Sequence, residues 1–278
     1  MSSFVNVRVL RGLCFSGYCF LVCAASAQQS YLGFDRNQYP GDQNLKVLRQ
    51  TFSYAGFWLN NPPGENTNSW QGKRRTIESA GFGFLVLFNG RLENQLRRNP
   101  AVLGKTDGQA AAAAALREGF PARAIIFLDI EEGGRMLPQQ KAYIYAWVDA
   151  VNASGFRAGV YCSGIPARED KNTTIVTADD IRDSAQGRQI IYWVTNDVCP
   201  PSPGCSFSNQ PPPPAESKID FADVWQFAQS PRRPDFAAKC HNYNRDGNCY
   251  PPGFGAATHL FVDVNTATSA DPSAATTH

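Results

Sequence analysis

Ala124-Ile125-Ile126-Phe127-Leu128-Asp129-Ile130-Glu131 is the stretch on which the fold turns. Five apolar residues run without a break and are closed by two acids. Such a run, rich in branched and aromatic side chains, suits a strand covered on both faces, as in a parallel sheet. The sequence on either side agrees. Downstream, Pro138 opens a helical pattern to Ala153, with Tyr143, Trp147, Val148 and Val151 on one face. Upstream, Gly108 to Glu118 reads as an alanine-rich helix with Asp107 as its N-cap. A strand held between two helices is the repeating unit of an α/β fold.

The same alternation extends outward. Tyr31–Asp35, Tyr54–Leu59 and Phe82–Phe88 read as earlier strands, with helices expected over Asn44–Thr51 and Gly72–Ala80. Gly159–Cys162 and Gln189–Thr195 read as later ones, separated by a helix over Ala178–Ser184. Then helices cease. Pro200–Pro214 is too proline-rich for one, and Val224–Ala228 and Leu260–Val264 are the remaining strands. Eight strands, five helices and a helix-poor last third predict a closed, TIM-like (β/α) barrel with right-handed crossovers. No glycine-rich phosphate loop follows the first strand, which argues against a dinucleotide site.

Residues 1–27 have the anatomy of a signal peptide. Arg8 and Arg11 precede an apolar stretch from Leu13 to Ala25, and Ala25-Ser26-Ala27 fits a cleavage site. The expected mature chain, 28–278, is one barrel domain of about 250 residues, an ordinary size for this architecture. Loss of the two arginines takes the formal charge from +2 to neutral. A neutral chain has no electrostatic footprint for nucleic acid or anionic lipid, so neither partner, nor a membrane after cleavage, is expected. Export makes disulfides plausible. Cys199 and Cys205 flank one short loop and Cys240 and Cys249 another, so two local bridges are the simplest pairing. Cys162, in a strand pattern, reads as a buried thiol.

In barrels of this kind the chemistry lies at the carboxyl ends of the strands. Asp35 closes the first strand, Asp129 and Glu131 the fourth, and Asp263 the last. Positions i and i+2 share a strand face, so Asp129 and Glu131 should both look into the mouth, with Ile130 turned to the helices and Glu132 turned away. Two carboxyls this close cannot both ionise freely. Glycosidic bond cleavage uses such a pair, one proton donor and one charged partner. Each acid taken singly could equally cap a loop or pair with an arginine; their convergence favours a site. Tyr39, Trp58, Tyr161, Trp193 and Trp225, with Phe88, fall near strand ends and could stack on sugar faces, although aromatic residues are also ordinary core material. Only three histidines are present, His241, His259 and His278, too few and too scattered for a Ser/His/Asp triad or a His-rich metal site. No cofactor or metal is expected, with a hard cation among the acids kept as an alternative.

Six segments together resemble a family of secreted glycoside-hydrolase-like domains of unknown function, similar in turn to the family 25 glycoside hydrolases, the lysozyme-type muramidases. They are YLGFDRNQYPG from Tyr31, YAGFWLNNPP from Tyr54, GFPARAIIFLDIEEGG from Gly119, GFRAGVYCSG from Gly155, VWQFAQ from Val224 and LFVDVN from Leu260. The resemblance implies a (β/α)5β3 barrel. It also implies Glu131 as general acid, Asp129 as the group that steers or stabilises the reacting sugar, and Asp35 and Asp263 as electrostatic and positioning partners. Peptidoglycan would be the substrate class, the protein a monomer, and its place the periplasm or the medium. Arg36-Asn37-Gln38-Tyr39 departs from the muramidase pattern, as do the loops 200–214 and 232–255. The expected function is therefore a cell-wall glycan hydrolase acting on β-1,4 bonds. A non-catalytic glycan-binding barrel is the second reading, and a metal-dependent hydrolase the third.

Overall fold

The computed structural model describes residues 29–234, 239–240 and 242–277. The expected leader, His241 and His278 lie outside the described residues. In chain order the elements are β1 (Tyr31–Asp35), α1 (Leu45–Leu48), β2 (Tyr54–Trp58), α2 (Arg74–Ser79), β3 (Gly83–Asn89), α3 (Pro100–Glu118), β4 (Ile125–Asp129), α4 (Pro138–Ala153) and β5 (Arg157–Ser163). A two-stranded hairpin of β6 (Ala167–Arg168) and β7 (Thr174–Ile175) follows. The rest is α5 (Thr177–Asp183), β8 (Ile191–Thr195), β9 (Val224–Ala228) and β10 (Asp263–Ala267).

Eight strands close into a barrel in the order β1-β10-β9-β8-β5-β4-β3-β2. From β1 through β9 every neighbouring pair of barrel strands is parallel. Each of the first five barrel strands is followed by a helix and the last three are not, which is the (β/α)5β3 arrangement. Ile126, Phe127 and Leu128 on β4 are fully buried, as the unbroken apolar run predicts.

The last strand departs from expectation in place and direction. It was expected over 260–264 and parallel; it runs from Asp263 to Ala267 and is antiparallel to both β9 and β1. The loop after β8 returns the chain to the floor without a helix, but the loop after β9 leaves it at the mouth, so β10 enters there and runs downward. Asp263 thus reaches the mouth by starting a strand, not by ending one. The chain emerges at the opposite end, where residues 271–275 serve the barrel floor. Asp271 Oδ1 accepts from Phe84 N–H at 2.9 Å, and Ser273 Oγ accepts from Val86 N–H at 2.9 Å. Ser273 C=O accepts from Ile125 N–H at 2.8 Å.

Helix α3 begins at Pro100, eight residues before the sequence pattern suggested. Gly104 and Gly108 hide its first half from a propensity reading, because glycine is a poor helix former. Here both are packing residues. A Cβ on Gly108 would lie 2.7 Å from Trp147 O and 2.9 Å from the Ala150 Cβ of α4. Asp107 is accordingly not a cap. It is buried inside the helix, bridging Arg91 Nε at 2.6 Å and the Tyr143 hydroxyl at 2.9 Å.

The cysteine pairing also differs. The bridges are Cys199–Cys240 and Cys205–Cys249. Each ties the loop after β8 to the loop after β9, instead of closing one loop on itself. The two loops fold over the same edge of the mouth, and that contact outweighs nearness in sequence. Cys162 is a buried free thiol.

Candidate active site

Every strand of the barrel gives one side chain to the layer at the mouth. These are Asp35 from β1, Trp58 from β2, Leu87 from β3, Asp129 from β4, Tyr161 from β5, Trp193 from β8, Gln226 from β9 and Asp263 from β10. Glu131, two residues past β4, joins them, so the four acids named from sequence line one cavity of about 50 Å³. Room for Asp35 comes from Gly56 beside it on β2, where a Cβ would stand 2.7 Å from the Asp35 Cβ.

Amides tie the acids together. Asp35 Oδ1 accepts from Asn265 Nδ2 at 2.7 Å and from Gln226 Nε2 at 3.0 Å. Asp263 Oδ1 accepts from Ser230 N–H at 2.6 Å, and its Oδ2 from Gln226 at 3.4 Å. The carbonyl of Gln226 accepts from the Tyr161 hydroxyl at 2.8 Å and from Gln229 Nε2 at 3.1 Å. Trp193 Nε1 donates to Asn265 at 3.0 Å. This amide network was not singled out from sequence, although Gln226 and Asn265 lie inside the quoted VWQFAQ and LFVDVN segments. The available signal was Asn265 two residues after Asp263, hence on the same face. A bulge where β9 meets β10 lies beside Gln226, a common device next to sites.

Asp129 is different. Its residue is 4% exposed, and neither carboxyl oxygen meets an N–H or hydroxyl donor. The Glu131 carboxyl is within bonding reach, so the two acids hydrogen-bond only by holding a proton between them. Desolvation, then the charge of Glu131, pushes Asp129 well above the usual carboxylate range. Glu131 is exposed by surface but crowded by the walls of the mouth. That crowding raises it, against the Asp129 contact and the charge of Arg233. Asp35 is pushed up to about 6 because burial outweighs the bonds from Asn265 and Gln226. Burial and then the charge of Asp35 raise Asp263 as well. Arg233 is itself held by Asp197, with Nη2 at 3.1 Å from Oδ1, on the loop that the Cys199–Cys240 bridge secures.

Of the aromatic candidates, Trp58, Tyr161 and Trp193 line the cavity. Trp225 does not. It is fully buried on the outer face of β9, donating to Asn196 C=O at 2.9 Å, because the pairing of Gln226 with Asn265 turns Gln226 inward. Tyr39 is also absent from the cavity: it packs edge-on to Trp70 at 5.2 Å and donates to Asp42 at 2.8 Å. Phe88 faces Trp147 on α4, at 6.4 Å. Glu132 points away, accepting from Glu93 N–H and Gln140 at 2.8 Å each. Among the described residues, no three His, Cys, Asp or Glu side chains are grouped to hold a metal ion, and no helix is long and apolar enough to cross a membrane.

Next to the acid cavity, and sharing Asp263 with it, opens a second one of about 360 Å³. Its walls include Arg36, Gln38, Glu65, His259 and Phe261. A larger cavity of about 790 Å³ lies elsewhere, around Tyr192 and Asp223. Two of its arginines are engaged, Arg188 with Asp149 at 2.8 Å and Arg182 with Asp220 at 3.5 Å.

A (β/α)5β3 barrel with acids gathered at its mouth defines a glycoside hydrolase-like protein. The chain belongs to the Rv2525c-like, glycoside hydrolase-like domain family, whose model matches residues 50–196. It is similar in fold to an uncharacterized B. stearothermophilus protein, with 20% identity and a TM-score of 0.56 over 85% of this chain and 95% of that one. It is also similar to the Mycobacterium tuberculosis Tat-secreted protein Rv2525c, solved in complex with HEPES, with 14% identity and a TM-score of 0.50 over 86% and 95% of the two chains. The L-tartrate complex of Rv2525c gives 13% identity and the same TM-score and coverage. No curated protein sequence matches.

Proposed function

We propose that the mature chain, from Gln28 onward, is a single-domain secreted or periplasmic glycoside hydrolase that cleaves β-1,4 bonds of peptidoglycan or a related glycan, a distant relation of the family 25 muramidases. One observation carries the reading: an exposed Glu131 stands over a buried Asp129 carboxyl that has no donor of its own. Burial among the walls of the mouth raises the Glu131 carboxyl above its ordinary range, and the proton it shares with Asp129 lies within reach of a bond held above the layer. Glu131 donates that proton to the glycosidic oxygen as the bond breaks. The carboxyl and amide oxygens of the layer beneath it face the positive charge that develops on the sugar, and water then adds to the sugar carbon and returns a proton to Glu131. Asp129 acts through Glu131 and the field, because its buried oxygens cannot reach a sugar carbon. Trp58 and Tyr161 form the wall on which a ring would rest. Asp35 Oδ1 and both oxygens of Asp263 accept from N–H donors, an arrangement that supports proton chemistry over a cation bridging the same acids. Secretion is supported by the leader pattern and by two disulfides.

The test uses purified peptidoglycan. New reducing ends with the wild-type chain and none with Glu131→Gln, in a reaction indifferent to chelator, are expected. Cleavage that persists in the variant would sink Glu131 as the acid.

One feature favours the second reading, a binder without turnover. The space among the acids is about 50 Å³, well short of the roughly 300 Å³ at which ligand pockets begin. A sugar must sit above the layer, at the level of Glu131. Retention of glycan by both proteins with no reducing ends from either would decide for binding alone.

A further inference from the structure

Arg36 follows Asp35 directly and forms a wall of the 360 Å³ cavity. Its surroundings do not suit it. The side chain is half-buried, and burial lowers its pKa against the charge of Asp263. Its Nε is sealed from solvent and meets no acceptor. Among the described residues the guanidinium takes part in no hydrogen bond and no ion pair; its one close contact is the face of Phe261, 5.8 Å away. Asp263 shares the cavity, but its oxygens accept from Ser230 and Gln226. Glu65, which also lines the cavity, accepts from Gln38 at 3.2 Å. A buried polar group without a partner is costly unless a ligand completes it, and a charged fork more so.

We propose that this cavity is a subsite for a carboxylate-bearing sugar, and that the glycan cut at the neighbouring acids is therefore an acidic one. The carboxylate takes the Arg36 fork, a planar match of one charge to one charge. The ring of Phe261 is a face for the apolar side of the sugar. His259 also lines the cavity and offers a ring nitrogen to its hydroxyls. A phosphate monoester fits less well, since its second charge would confront Glu65 and Asp263 with one arginine to offset both. The subsite itself stands on the cavity; only the statement about the cleaved glycan rests on the hydrolase reading.

Calorimetric titration of the purified chain at pH 7 tests it, with methyl β-D-glucuronide, methyl β-D-glucoside and inorganic phosphate as probes. Glucuronide should bind at least tenfold more tightly than glucoside. Arg36→Gln should abolish that preference, and Arg36→Lys should keep part of it. Glu65→Gln leaves Arg36 in place and should tighten glucuronide about threefold, so the test does not hang on one variant folding. Glu131→Gln should bind glucuronide as the wild type does. Equal affinity for both sugars, a preference that survives Arg36→Gln, or a weakening in Glu65→Gln overturns the subsite. Phosphate binding more tightly than glucuronide overturns the carboxylate. If the glucuronide preference holds while peptidoglycan stays uncut, the subsite stands and the hydrolase reading falls.

Discussion

Asp35 and Asp129 are carboxyls whose surroundings favour the neutral form, and this makes the mouth sensitive to pH. For Asp35 the sign follows from its folded value of about 6 against an ordinary 3.8. A raised folded pKa means stability that is complete below the unfolded value and is lost as pH rises through the folded one. Asp35→Asn keeps the acceptor that Asn265 and Gln226 need but removes the titration. Between pH 4 and pH 7 the variant should gain up to about 3 kcal/mol relative to wild type, at 1.36 kcal/mol per pKa unit. Urea unfolding at the two pH values measures this, and an unchanged difference would refute it. Activity should follow Glu131 instead. Its limb toward high pH should move to higher pH in Asp129→Ala, because the contact with the protonated Asp129 carboxyl, which favours the ionised Glu131, is then lost. A pH profile of kcat/KM that does not move would show the two carboxyls to be independent. The four acids were legible in the sequence because each interrupts or closes an apolar run. Gln226 and Asn265 were not, since an amide within a strand looks like a solvent-facing residue until the closed barrel turns its face inward. Arg36 was passed over for a similar reason: a basic residue just past a strand reads as surface. Trp225 misled in the opposite sense, being aromatic and near a strand end but on the outer face.

At the level of elements, the alanine-rich stretch of α3 owes its composition to α4. Gly104 and Gly108 leave no room for a Cβ against α4, so Gly108→Ala should destabilise the chain by about 1–3 kcal/mol, the usual range for overpacking, even though alanine is the better helix former. Thermal unfolding checks this, and a rise in Tm would mean that the two helices have room to part. The start of α3 could not be placed from sequence because those glycines weaken the very signal a helix gives. β10 was misplaced because Leu260, Phe261 and Val262 are as apolar as a strand. Here they belong to the approach to the mouth, and Leu260 and Val262 are buried there. Only the register against β1, with Asp35 opposite Asp263, shows where pairing begins. The crossover strands β1 to β5 came out within a few residues, since each is a buried apolar run beside a helix and needs no distant partner to be recognised.

Across the whole molecule, the two disulfides join loops that the sequence keeps more than forty residues apart. On loop-closure entropy each contributes about 4 kcal/mol. Replacing Cys199 and Cys240 together by Ala should lower Tm and also loosen the loop that brings Arg233 toward Glu131. Loss of stability with an unaltered pH profile would separate the loop's anchoring from any influence on the acid. The reversal of β10 has a larger consequence. Its five residues begin beside the acids and finish where the chain turns to stitch β3 and β4 from below. Top and bottom of the barrel are thus joined by one short tie rod, fastened at its lower end by Asp271 and Ser273. Damage to that fastening, tens of ångströms of chain away from any substrate, should be felt as slack at Asp263.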